Sequence, residues 1–130
     1  MTMFTAVTHN IHVSVNTFYQ EDYSYPMSQH FMFSYKIKIE NKGNDTIQLL
    51  RRHWYIVDAF GLQREVEGEG VIGEQPIIRS NKSYSYISGC DLKTEVGKMF
   101  GTYLMENLNN GNLFYVLIPE FLMVAPMRLN

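Results

Sequence analysis

The chain has 130 residues, enough for one domain spanning 1–130, since a single core holds roughly 100 to 200 residues. Its 11 lysines and arginines against 13 aspartates and glutamates leave a formal charge of -2 without a dense basic run, which excludes a nucleic-acid backbone as partner. The single cysteine, Cys90, excludes an internal disulfide and points to a reducing, cytoplasmic compartment.

Residues 5–16 alternate, with Val7, His9, Ile11, Val13 and Val15 on one face and polar side chains on the other. Period 2 over that length predicts one half-buried strand. A polar, tyrosine-rich connector follows at 20–29, where Pro26 interrupts any ladder. Alternation resumes over 30–40 with Phe31, Phe33, Tyr35, Ile37 and Ile39, before a turn at 41–44. The segments IQLL and WYIV, at 47–50 and 54–57, are apolar at every position save Gln48. They predict an interior strand covered on both faces. A turn at 58–61 then returns 62–67 as an antiparallel partner.

Ile77 and Ile78 form a short strand ahead of a turn at Ser80-Asn81-Lys82, and 83–88 alternates again with Tyr84 and Tyr86 on one side. Residues 91–98 read as polar and irregular. Met99, Gly101, Tyr103 and Met105 share a face of the next strand, and an asparagine-rich turn at 109–112 leads into 113–118. Pro119 is expected to end that strand, with a short one at 121–124. No stretch shows the 3.6 period of a helix. Many short strands between turn signals predict an all-β sandwich or barrel. The opening residues lack the basic flank and apolar core of a signal peptide. Apolar runs reach about six residues against the roughly 20 that span a bilayer, so a soluble protein without membrane insertion is expected.

Gly68, Gly70 and Gly73 spell G-x-G-x-x-G. In a dinucleotide-binding fold that motif joins a strand to a helix whose N-terminus holds the pyrophosphate. Here Glu74-Gln75-Pro76 follows, and proline opposes a helix. The glycines are therefore read as permitting a bend, a bulge or positive φ between strands. The alternative is a glycine loop whose amides form an anion nest for a phosphorylated nucleotide or pyrophosphate, with Arg52 as clamp. Arg52 and Trp54 share one face of an extended strand while His53 points the other way. Trp54 reads as a core anchor; Arg52 and His53 are candidates for ligand binding or for rim packing.

No histidine or cysteine spacing builds a zinc site. Glu65, Glu67 and Glu69, with neighbours about 7 Å apart, are either a loose site for a divalent metal or a charged guard on an edge strand. No nucleophile and base come together in the sequence, Cys90 included, so a non-catalytic role is expected. Tyr23 and Tyr25, aromatic residues in a polar loop, are the candidates for protein contact.

The combination LLRRHW at 49–54, Asp58, Gly61, VEGEGVIGEQP at 66–76, Y-x-S-G at 86–89, G-x-M-x-G-x-Y at 97–103 and I-P-x-F at 118–121 resembles the ApaG family over essentially the whole chain. The chain departs from the family pattern at Ser80-Asn81-Lys82, where members commonly carry proline-glycine. The resemblance implies an immunoglobulin- or fibronectin-III-like β-sandwich, here of about seven or eight antiparallel strands. It also implies an indirect association with cobalt resistance and magnesium efflux. Related domains occur in some F-box proteins and in a DNA polymerase delta-interacting protein, where they are thought to mediate protein contacts. A protein-binding module is the expectation, with no cofactor, and a second copy of the chain is among the candidate partners.

Overall fold

The computed structural model describes residues 3–129. Nine strands form two antiparallel sheets packed face to face, and no α-helix occurs among the described residues. The first sheet runs β1 (Met3–Thr8), β2 (Ile11–Tyr19), β3 (Phe31–Asn41), β7 (Ser83–Leu92). The second runs β5 (Gln63–Glu69), β4 (Ile47–Asp58), β8 (Val96–Asn107), β9 (Leu113–Val124), with the short β6 (Ile77–Ile78) also paired to β4. The all-β sandwich is thus the observed architecture.

The count is nine against the expected seven or eight: 5–16 is a hairpin, not one strand, while the segments expected at 113–118 and 121–124 join into one. His9 and Asn10 take φ of +47° and +64°, the two positive values of a tight two-residue turn. The burial phase flips at that turn. Phe4 and Ala6 pair with Val15 and Val13 on the inner side, and Val7 faces solvent beside His12. The alternation of period 2 runs through the turn, which hid it.

Three further boundaries differ from expectation. β7 continues to Leu92 and β8 begins at Val96, so the irregular stretch shrinks to a turn. Gly97 is a strand residue there, paired with Asp58 and Met123, and the position requires glycine because a Cβ would lie 2.6 Å from Leu92 Cδ1 and 2.9 Å from the Val57 carbonyl oxygen. β9 passes through Pro119, where the pairing slips by one residue between Met99 and Gly101; a bulge on an edge strand absorbs the missing N–H. β4 is interior by pairing, with β5 and β6 on one side and β8 on the other. It is covered on one face alone: Ile47, Leu49, Trp54 and Ile56 are buried while His53 and Tyr55 face outward, half-buried.

The core lies between the sheets. Phe33, Ile37, Ile39, Val13 and Val15 from the first meet Leu49, Trp54, Tyr103, Met105, Phe121 and Met123 from the second. Trp54 packs edge-on to Phe121 at 5.9 Å between ring centres and against Tyr35 at 5.5 Å. Truncating such a buried aromatic costs about 3–5 kcal/mol. Buried Asn41 closes one end of the sandwich. Its amide donates to the carbonyls of Asp45 (2.8 Å) and Ile78 (3.0 Å), and its Oδ1 accepts from Gly43 N. At the departure from the family pattern, Asn81 adopts φ +64° and Lys82 N donates to the Arg79 carbonyl. Asparagine is the ordinary residue that tolerates this conformation best after glycine.

Candidate functional site

Two regions contain the residues singled out by sequence. The first is the glycine loop between β5 and β6. A bulge between Leu49 and Arg51 turns the Leu50 carbonyl toward it, and that oxygen accepts from Gly70 N (2.8 Å) and Gln75 Nε2 (2.9 Å). Val71 N donates to the Glu74 carbonyl and Glu74 N returns to Val71. Ile72 and Gly73 between them take φ of +47° and +74°. Gly70 has φ +61°, and a Cβ on it would fall 2.1 Å from the Glu74 carbonyl oxygen.

Arg52 completes this loop from the inner side. Its Nη1 donates to the carbonyls of Glu69 and Gly70, both at 2.9 Å. Gly68 is the seat of the guanidinium, since a Cβ there would lie 3.1 Å from Nη1. Arg52, Gly68, Gly70 and Gly73 are therefore brought together, with the arginine holding carbonyls and the amides of Gly70, Val71 and Glu74 bonded internally. No helix starts after Gly73: 74–76 lead into β6.

Beside Arg52 lies a group of tyrosines in the core. The Tyr86 and Tyr103 hydroxyls are 2.5 Å apart and buried. Burial pushes the pKa of Tyr86 and Tyr103 up, and that of Tyr35 as well, against the smaller opposing pull of the Arg52 charge. Among the described residues no buried side-chain nitrogen or oxygen lacks a hydrogen-bond partner.

His53 lies apart from this group, on the opposite face of β4. Its Nε2 is 2.9 Å from the Glu65 carboxylate and its Nδ1 3.6 Å from that of Glu67. Its ring stacks on Tyr55 at 4.6 Å, and Tyr55 stacks on Phe100 of β8 at 5.2 Å. Glu67 also faces Arg51 at 3.8 Å. Glu65 and Glu67 are thus engaged by neighbours, and among the described residues no three His, Cys, Asp or Glu side chains gather in a metal-ligating group. Cys90 is buried, and desolvation lifts its thiol pKa to about 11 despite the Arg64 guanidinium 3.5 Å away. A thiol so protonated is a poor nucleophile.

The second region is the far end of the sandwich, where Tyr23 and Tyr25 lie. Two short 3-10 turns, Glu21–Tyr23 and Pro26–Ser28, carry them across the end. Ser24 fixes the excursion: its hydroxyl donates to the Gln20 carbonyl (2.7 Å) and accepts from Met32 N (2.9 Å). Opposite stands the β4–β5 turn, in which Asp58 Oδ1 accepts from Phe60 N and Leu62 N. Between these loops and the β7–β8 turn runs a cleft of about 580 Å³, bordered by Pro26, Phe31, Phe60, Lys93 and Val96. Phe60, Leu62 and Met27 escaped the sequence reading. The signal for Phe60 and Met27 was a large apolar side chain placed in a turn or connector, outside any strand able to bury it; Leu62, expected to open the strand over 62–67, lies ahead of β5, which begins at Gln63.

The fold and these sites define a small antiparallel β-sandwich whose prominent surface chemistry is apolar and aromatic. A family model described as the ApaG domain matches residues 21–107. Protein ApaG of Paramagnetospirillum magneticum is 47% identical over 124 residues, covering 95% of each chain. Protein ApaG of Brucella anthropi is 46% identical over the same length and coverage. A crystal structure of an ApaA protein from Bordetella pertussis superposes with a TM-score of 0.86 at 40% identity, covering 89% of this chain and 94% of that one. The chain belongs to the ApaG domain family.

Proposed function

We propose that this domain is a non-catalytic protein-docking module and that the loop end around Tyr25 and Phe60 is its contact surface. The observation that carries this reading is exposure. Met27 is 100% exposed, Phe60 78%, Leu62 68% and Tyr25 62%. Of these, Phe60 borders the end cleft, and Tyr25 and Met27 flank Pro26, which borders it from the opposite loop; large apolar side chains exposed on such loops are the anchors that protein interfaces use. Asp58 and Ser24 hold the two loops in place, so little ordering cost remains on binding.

The second reading, a phosphorylated nucleotide on the glycine loop, draws less support. The Arg52 guanidinium already serves two carbonyls, and three of the loop amides serve the chain itself. Within a family associated with cobalt resistance and magnesium efflux, a docking module acts through its partner. Among the described residues no helix is long and apolar enough to cross a membrane.

A photo-cross-linking side chain placed at position 60 tests the reading in cells. It is expected to trap one discrete partner, and the same probe at exposed Ile77 is expected to trap none. Equal labelling from both positions would defeat the assignment. Calorimetric titration with nucleotides, pyrophosphate, cobalt and magnesium separates the second reading. Nucleotide binding abolished by Arg52→Met in a folded protein would favour it over docking.

A further inference from the structure

The two sheets have four outer edges, and they are not treated alike. β5 carries Arg64, Glu65, Glu67 and Glu69 along its length, the charges that discourage edge pairing. β9 is bulged at Pro119 and lies against the first hairpin: Leu117 N donates to Thr8 Oγ1, and Thr17 Oγ1 to the Leu122 carbonyl. The same contact covers β1 at Thr8.

β7 is guarded at one end alone, where Arg64 of β5 donates to the Asp91 carbonyl and pairs with the Asp91 carboxylate at 3.3 Å; from Ser83 to Gly89 it has no such guard. It pairs with β3 over ten residues in unbroken register, from Phe31↔Leu92 to Glu40↔Ser83. Its sequence, SYSYISGCDL, contains no proline, no lysine and one charge, Asp91, next to its last residue. Among the described residues its other edge pairs with no strand. Such an edge is a template for one more strand.

We infer that β7 is the self-association edge of this protein, pairing antiparallel with β7 of a second copy about a twofold axis at Ile87. The register comes from the strand itself. Ile87 is the one large apolar side chain on its outward face, 60% exposed. Placing it on the axis sets it against the partner's Ile87, a β-branched pair of the kind that stabilises sheets. Ser85 then faces the partner's Gly89, and Ser83 faces the partner's Asp91. No like charges meet, and the side chains flanking the axis are small. A second copy therefore fits where a foreign strand would need a matching sequence of its own. An apolar cleft of about 530 Å³ beside the axis, lined by Tyr23, Met32 and Ile87, adds surface for the contact to cover. A closed twofold pair also removes the exposed edge, since each β7 caps the other.

Sedimentation velocity of the full chain across a wide concentration range is the first test. The mass is expected to move from the 15.2 kDa chain to twice that value. Ile87→Lys brings two lysines face to face and is expected to weaken association by about tenfold or more. Because Ile87 is exposed, its circular dichroism and melting should match the wild type. Ile87→Cys is expected to form a covalent dimer on mild oxidation, while Leu113→Cys, equally exposed on β9, is not. A single-chain mass at the highest concentration would overturn the inference. So would a dimer that persists in Ile87→Lys, or equal cross-linking from both cysteine variants.

Discussion

The glycine loop and the Tyr25–Phe60 end make opposite use of their residues. At the loop, every feature that looks like ligand chemistry is turned inward. Arg52 holds two carbonyls, Gly68 makes room for it, and Gly70 lets the chain pass over the Glu74 carbonyl. At the other end, side chains that look like misplaced core residues are left in water by well-ordered turns. A conspicuous motif is here an internal brace, and an unremarkable turn carries the surface.

That contrast predicts a graded series of effects on stability and binding. Gly70→Val should be the most damaging, by about 3 kcal/mol or more, because it combines a left-handed φ with a backbone overlap. Thermal melting measures it, and a native-like midpoint would show that the loop tolerates a side chain. Arg52→Met should cost about 2 kcal/mol, the range of hydrogen bonds from a charged donor. Arg52→Lys is not expected to restore the loss, since one ammonium cannot reproduce the fork at two carbonyls.

Tyr86→Phe should cost about 1–2 kcal/mol by leaving the buried Tyr103 hydroxyl without its partner. The same tyrosines predict a pH dependence. An unfolded tyrosine titrates near pH 10, whereas burial keeps Tyr35, Tyr86 and Tyr103 protonated above that point. Above pH 10 the unfolded chain binds fewer protons than the folded one, so stability falls as pH rises and is intact below. Urea midpoints taken from about pH 8 to about pH 11 should trace this decline, with a shallower slope in Tyr86→Phe. Phe60→Asp comes last. It should change stability by less than about 0.5 kcal/mol while abolishing partner cross-linking at that end. A large loss of stability would make Phe60 a packing residue and erase the contrast.

The strands with one buried face were legible, because Phe31 to Ile39 and Met99 to Met105 announce their inner side by alternation. The hairpin at His9-Asn10 was not, since neither residue is glycine and the polar-apolar rhythm runs unbroken through the turn. Pro119 misled in the opposite direction: its missing N–H is harmless on an edge strand at a bulge. At the candidate site, sequence placed Arg52 and His53 on opposite faces of one strand correctly. It could not show that the guanidinium points at the Glu69 and Gly70 carbonyls, because the Leu50 bulge that brings the loop within reach has no sequence marker. Phe60 was invisible for a related reason. Its exposure follows from how far the β4–β5 turn projects past the end of the core.

The hydroxyl contact between Tyr86 and Tyr103 joins one layer of the sandwich to the other through a polar link set among apolar core side chains. Apolar surfaces can slide by a side chain with little change in area buried, but two hydroxyls 2.5 Å apart cannot. The link therefore fixes how the layers sit across from each other, and with them the spacing of the loops at both ends. Combining Tyr86→Phe with Tyr103→Phe would keep the volume and lose that alignment.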